Sequence, residues 1–268
     1  MRIPDLSSPG WFLATMLVFF IVIVGRYFLV SGIFYSVFYI WFPEKWGKRK
    51  IGTREYKPGQ FRKEVIWSLI TAVSFSVTAA LTVWLWQQGY TQVYTDIHAY
   101  PLWWLPLSLL ISMLIDETYY YWLHRLLHLP GMFKKIHRIH HLSSVASPWT
   151  AFAFHPVEGL LLGIILPLTL MIVPMHPVVI LIQLVMMTFS SVISHLDIEI
   201  FPRQFHKHPI GKWLIGATHH SLHHRQFKYN YGLYLTCWDK WEKTESPAFH
   251  TTFESATGDG QQSPENRE

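Results

Sequence analysis

Between positions 11 and 42 the chain is apolar almost without interruption, and Arg26 is the only charged residue in the run. A helix needs roughly 20 such residues to cross the hydrocarbon core of a bilayer. This stretch therefore folds as one long membrane helix, or as a span with an interfacial extension. The polar MRIPDLSSPG ahead of it does not read as a cleavable signal peptide, because the apolar run is too long and no small-residue cleavage site follows. Further spans are expected at 65–86, 102–121, 157–173 and 177–193, the last two separated only by residues 174–176 and so paired as a tight helical hairpin. Four and five crossings both fit this pattern.

Composition supports a membrane protein: 15% of residues are charged, where a soluble domain carries about 25%. Disorder, a coiled coil and a disulfide scaffold are excluded. The single cysteine, Cys237, leaves no intramolecular disulfide, CxxC zinc site or four-cysteine cluster. The net charge of +5 comes from lysines and arginines flanking apolar runs, with no basic helix for nucleic acid. Residues 43–63 hold eight of them (Lys45, Lys48, Arg49, Lys50, Arg54, Lys57, Arg62, Lys63) against Glu44 and Glu55, whereas residues 87–100 hold none. The positive-inside bias makes the first of these loops cytoplasmic and the second external. The ends of the later spans then place every histidine cluster on the cytoplasmic side.

Those clusters are the strongest chemical signal. Five of the 16 histidines (His124, His128, His137, His140, His141) fall within 18 residues, and four more (His219, His220, His223, His224) within six. His124 and His128 are spaced i, i+4, so a helix puts them on one face. His137, His140 and His141 are spaced i, i+3, i+4, and His220, His223 and His224 repeat that spacing, so each set is expected to present two or three imidazoles to one point. Eight imidazoles exceed the needs of a tetrahedral zinc but suit two metal ions. All-nitrogen ligation disfavours calcium and magnesium and leaves iron, copper, zinc or nickel. The expected fold is an all-α integral membrane bundle with a cytoplasmic helical cap carrying this dimetal site. Membrane helices and the basic loop occupy 1–115, the catalytic region 116–246, and a polar, disordered tail 247–268.

The histidine spacing resembles the eight-histidine pattern of the fatty acid hydroxylase/sterol desaturase superfamily. Glu117 to Arg125 (ETYYYWLHR) is similar to that family's D-x3-Y-W-x-H-R lead-in, with Glu117 at the aspartate position and Asp116 one residue early. Phe154 to Gly159 (FHPVEG) resembles the FHPxDG segment of sterol C5-desaturases, and Tyr229 to Gly232 followed by Trp238 and Asp239 resembles their YNYG and WD. The similarity covers residues 116–244. It implies a non-haem di-iron oxidase that uses dioxygen on an unactivated C–H of a sterol or related lipid drawn from the bilayer. It further implies His195 as an additional metal ligand and His155 as an active-site residue. His219 is expected to bond a carboxylate instead of a metal. Asp116, Glu117, Glu158, Asp197 and Asp239 are candidate acceptors that would fix ligand tautomers. Electrons would come from a separate donor, cytochrome b5 or a ferredoxin-type protein, in the endoplasmic reticulum or a bacterial inner membrane. The competing readings are a hydroxylase or monooxygenase of fatty acyl, carotenoid or alkylglycerol lipids and, in another class, a metal transport or storage protein.

Overall fold

A computed structural model describes residues 4–258. The described residues are helical, with three isolated bridges and no strand. In chain order the α-helices are α1 (Pro9–Tyr35), α2 (Pro43–Gly47), α3 (Gln60–Gln87), α4 (Trp104–Leu127), α5 (Pro130–Lys135), α6 (Pro156–Gly163), α7 (Ile165–Ile172), α8 (Pro177–Ser194), α9 (Ala217–Gln226), α10 (Cys237–Trp241) and α11 (Phe249–Thr257).

Among the described residues three stretches are long and apolar enough to cross a membrane: Pro9–Trp41, which continues α1 through a π-helical end, Gln60–Gln87 and Pro177–Ser194. Their outward faces leave Leu13, Leu17, Ile21, Leu29 and Leu181 exposed. In water such a surface would drive aggregation, whereas in a bilayer it is the lipid-facing side. The expected span at 102–121 overlaps the first part of α4 but is not among the three, and its inner half buries Asp116 and Glu117. The expected span at 157–173 is broken into α6 and α7 around Ile164. Pro167 has no N–H for the carbonyl four residues earlier, that of Gly163, which interrupts the helix there.

Glycines bring α6 against α3. A Cβ at Gly159 would lie 2.7 Å from Thr71 Cγ2, and one at Gly163 would run into Thr78. α7 and α8 each pack on α4 and share a buried apolar cluster near the turn that joins them, where Leu170, Val173, Met175 and Val179 meet. The turn between them is tied outward, with the Trp104 indole on the Pro174 carbonyl (2.8 Å) and Met175 bridged to Val93. A space is left between the splayed helices.

At the opposite end from that turn the basic segment folds back on the cap. Ile51 N–H donates to the Asp197 carbonyl (3.0 Å), and Arg225 bonds the Ile51 carbonyl and pairs with Asp197 (2.7 Å). Nearby, Glu64 at the start of α3 is buried and accepts from Gln60 (2.7 Å), Ser143 (2.6 Å), Ser147 (2.6 Å) and Thr150 (2.9 Å). One carboxylate thus pins the loop between the second histidine set and residue 150.

The expected disordered tail starts differently. Residues 249–257 form α11, whose Phe249 and Phe253 are buried with Leu222 of α9. Apolar residues four apart on one face give this short polar helix a surface to dock with. Residues 259–268 of the expected tail lie outside the described residues.

Candidate metal centre

Each histidine set reaches the centre on its own scaffold. His124 is in the last turn of α4 and His128 caps that helix, while His137, His140 and His141 stand on a 3-10 turn (His137–Leu142). His195 caps α8, and His220, His223 and His224 stand on α9. All nine converge in two nests. His124, His128, His137, His141 and His223 form one, and His140, His195, His220 and His224 the other, with the facing nitrogens in each nest within 4.8 Å of one another. The second and third sets do not each serve one point, as their spacing suggested. His137 and His141 go to the first nest and His140 to the second, and His223 goes to the first while His220 and His224 go to the second.

The protonation pattern is set by the hydrogen bonds. Nδ1 of His124 faces the Tyr231 carbonyl (2.9 Å), that of His223 the Tyr229 carbonyl (2.7 Å) and that of His195 the Ser191 carbonyl (2.7 Å). Nδ1 of His140 faces the Ala153 carbonyl (3.3 Å) and that of His137 meets Glu158 Oε1 (2.7 Å). A carbonyl or carboxylate can only accept, so each of these five rings donates from Nδ1 and is left with a lone pair on Nε2. Those Nε2 atoms face one another: His124 to His137 at 3.2 Å and His140 to His195 at 3.2 Å, with His220 2.9 Å from His195. Burial, reinforced by neighbouring imidazoles, holds His140, His141, His220, His223 and His224 well below their ordinary value, so the rings stay neutral. Neutral nitrogens turned inward at this spacing suit a cation between them.

Of the acidic candidates, Glu158 alone touches a nest imidazole. Asp116, Glu117 and Asp239 organise the loop after Asn230, which supplies the Tyr231 carbonyl, and Asp197 holds α9. Glu117 accepts the backbone N–H groups of Leu233 (3.1 Å), Tyr234 (2.6 Å) and Leu235 (3.1 Å), and Asp116 accepts the Tyr234 hydroxyl (2.7 Å). Asp239 accepts from Tyr231 N–H (2.9 Å), Gly232 N–H (3.0 Å) and the Thr244 hydroxyl (2.8 Å). Asp197 accepts from Ser221 (2.9 Å) and Arg225, and burial pushes its carboxyl up to about 6 against the pull of that arginine. His155 stands outside the nests and caps α6, its Nδ1 accepting from Val157 N–H (3.1 Å). His219 also stays outside, stacked on Phe249 with Nε2 3.7 Å from Glu245.

A cavity of about 320 Å³ opens between the splayed helices and reaches His195 and His220. Its walls are mainly apolar, with Phe19, Ile23, Phe75, Leu166 and Met187 among them. Mostly apolar walls converging on a few polar groups are typical of a ligand site. Phe154 stacks on the His140 ring at 4.6 Å. Sequence reasoning missed the carbonyl acceptors at Tyr229 and Tyr231, although the tyrosine–asparagine–tyrosine–glycine motif that carries them was visible.

A profile of the fatty acid hydroxylase family matches residues 109–244. Lathosterol oxidase of Rattus norvegicus is 29% identical over 188 residues, covering 69% of this chain and 61% of that protein. A Delta(7)-sterol 5(6)-desaturase of Gibberella zeae is 31% identical over 161 residues, 60% of this chain and 48% of the relative. Another from Eremothecium gossypii is 33% identical over 151 residues, 56% of this chain and 41% of the relative. The chain thus spans less than two thirds of the length of these curated relatives. No solved structure matches it.

Proposed function

The chain belongs to the fatty acid hydroxylase family, and from that premise we propose a membrane-bound, dioxygen-dependent lipid oxidase whose two nests hold a pair of non-haem irons. The observation that carries the reading is the confrontation of lone pairs. His140 and His195 have both Nδ1 protons committed to carbonyls and are kept neutral by burial, so no proton lies between their Nε2 atoms. Without a cation this contact is repulsive. With one it becomes ligation. Among the metals that accept all-imidazole sites, iron suits the oxidase chemistry of the named relatives.

Iron bound there would supply dioxygen activation and hydrogen abstraction from an unactivated C–H. The chain's own residues do the rest. Glu158 and the four carbonyl acceptors hold five of the nine rings, those of His124, His137, His140, His195 and His223, in the tautomer that points Nε2 inward. His195 and His220 meet the apolar cavity, so a lipid lying there brings its C–H to the second nest while the walls exclude water. The substrate class is a sterol or related lipid and the outcome desaturation. Hydroxylation shares the first abstraction and differs only in the second step.

Electrons come from a separate protein, cytochrome b5 or a ferredoxin type. The basic segment 43–63 lies at the nest end and suits an acidic docking partner. The same positive charge puts that end in the cytoplasm, with the chain in the endoplasmic reticulum or a bacterial inner membrane. A metal transporter would need polar groups along a route through the spans, whereas the nests lie at one end of the bundle.

The test is elemental analysis of protein purified in nanodiscs, together with lipid extracts from cells with and without the gene. Two irons per chain and a lipid that loses two hydrogens or gains one oxygen are expected. Full activity in iron-free protein would overturn the reading.

A further inference from the structure

Arg26 is the one charge in the apolar run of α1, and it lines the cavity that reaches the second nest. A charge at bilayer depth is costly and marks a functional site when it faces a cavity. One of its N–H groups donates to the Leu184 carbonyl on α8 (3.3 Å), which already accepts the Thr188 hydroxyl (2.9 Å). Its Nε is buried with no partner, and the guanidinium forms no ion pair among the described residues. Gln183, beside Leu184, is buried and lines the same cavity. The Ser112 hydroxyl donates to the Gln183 Oε1 (2.6 Å), and the Gln183 amide nitrogen donates to no protein acceptor among the described residues. Asp116 is the only acid among the described residues that line the cavity, and it is engaged by the Tyr234 hydroxyl (2.7 Å).

The cavity therefore has two chemically distinct ends. One presents unused N–H donors, the other His195 and His220. Leu184 and His195 are 11 residues apart on and just past α8, which is about 16 Å at a helix rise of 1.5 Å per residue.

We propose that Arg26 and Gln183 form a subsite for an acceptor oxygen, a hydroxyl or a carboxylate, at the far end of an elongated lipid. The proposal rests on reading the nests as the oxidation centre and narrows its substrate. The anchoring oxygen and the attacked carbon lie at opposite ends of the cavity, so a lipid whose only oxygen adjoins the attacked carbon does not engage this subsite. Burying a lipid oxygen at this depth is unfavourable unless donors await it, and burying a guanidinium is unfavourable without an acceptor, so each offsets the other.

The test measures equilibrium binding of radiolabelled hexadecanoate, hexadecanol and hexadecane to the purified full chain in detergent. The wild type should bind the two oxygenated probes more tightly than the hydrocarbon. Arg26→Gln should weaken both by about tenfold and leave hexadecane within about twofold. A loss confined to hexadecanoate would identify an acid as the occupant, and an equal loss would identify any acceptor oxygen. Arg26→Lys should retain hexadecanoate, and Gln183→Met, which leaves Arg26 in place, should weaken the oxygenated probes by itself. Equal binding of all three probes to the wild type, or an equal loss of all three in the variants, would overturn the proposal. Binding is read without turnover, so a failure of the oxidase reading, seen as absent iron, is distinguishable from a failure of the subsite.

Discussion

Glu158 holds His137 from behind: Oε1 lies 2.7 Å from the ring's Nδ1, and the two side chains are 2% and 1% exposed. It is the carboxylate through which α6 reaches the first nest. Glu158→Gln keeps an acceptor but removes the charge, and Glu158→Ala removes both. Metal affinity should fall by about 10–100-fold in the alanine variant and less in the glutamine variant, as measured by iron retention against graded chelator. Unchanged retention in both would contradict the role given to this contact.

The division of the histidine sets between nests predicts stoichiometry. His128→Ala removes a ring from the first nest only, and His224→Ala from the second only. Each variant should drop from two metals per chain towards one and lose turnover, which elemental analysis and oxygen uptake will read together. Loss of both metals from either variant would mean the nests do not load independently.

Acid should destabilise the metal-free protein. Burial holds His195 down to about 4 and, with His137 beside it, His128 down to about 3, against an ordinary value of 6.5. Below pH 6.5 the unfolded chain therefore binds protons that the folded rings refuse, and stability falls with pH until the folded values are reached. Thermal melts with chelator at pH 7.5, 6 and 5 should give successively lower midpoints. A flat profile across that window would argue that these rings are more accessible than their burial implies.

Glu64→Ala would leave the hydroxyls of Ser143, Ser147 and Thr150 and the Gln60 amide without their acceptor in a buried site. Unsatisfied buried donors cost about 1–3 kcal/mol each, so this variant should be among the most destabilised away from the nests. The carboxylate also orders the loop after His141, so metal retention should fall together with the midpoint in detergent melts.

Gly232→Ala tests why the tyrosine–asparagine–tyrosine motif ends in glycine. A Cβ there would lie 2.6 Å from the Leu235 carbonyl oxygen and 3.1 Å from Asp239 Oδ2. Overpacking of this kind costs about 1–3 kcal/mol. It should also shift the Tyr231 carbonyl that holds His124, so iron loss at unchanged expression is the expected signature.

Much of this protein is written locally. The apolar runs demand membrane helices because the bilayer core leaves backbone groups no other partner, and α1, α3 and α8 form accordingly. The imidazole spacings fall within one turn, so neighbouring residues alone declare that His124 and His128, or His220 and His224, share a face. Pro167 likewise announces the break between α6 and α7, although the run around it reads as one span.

Only the tertiary structure decides where these local pieces meet. Spacing within a set cannot reveal that His140 leaves its neighbours for the second nest, or that His223 meets His141 from 82 positions away. Nor can it reveal which carboxylate reaches a ring: Glu158 does so, while Asp116, Glu117 and Asp239 turn to backbone and hydroxyl donors in returning loops and Asp197 turns to Ser221 and Arg225 of α9. α11 passes for a polar tail until Leu222 offers its phenylalanines a surface, and the run around Arg26 does not say that its guanidinium meets the Leu184 carbonyl of α8. Helical periodicity is set by contacts within a few residues. The partition of ligands and the cavity beside them depend on how helices distant in sequence pack, which no single stretch encodes.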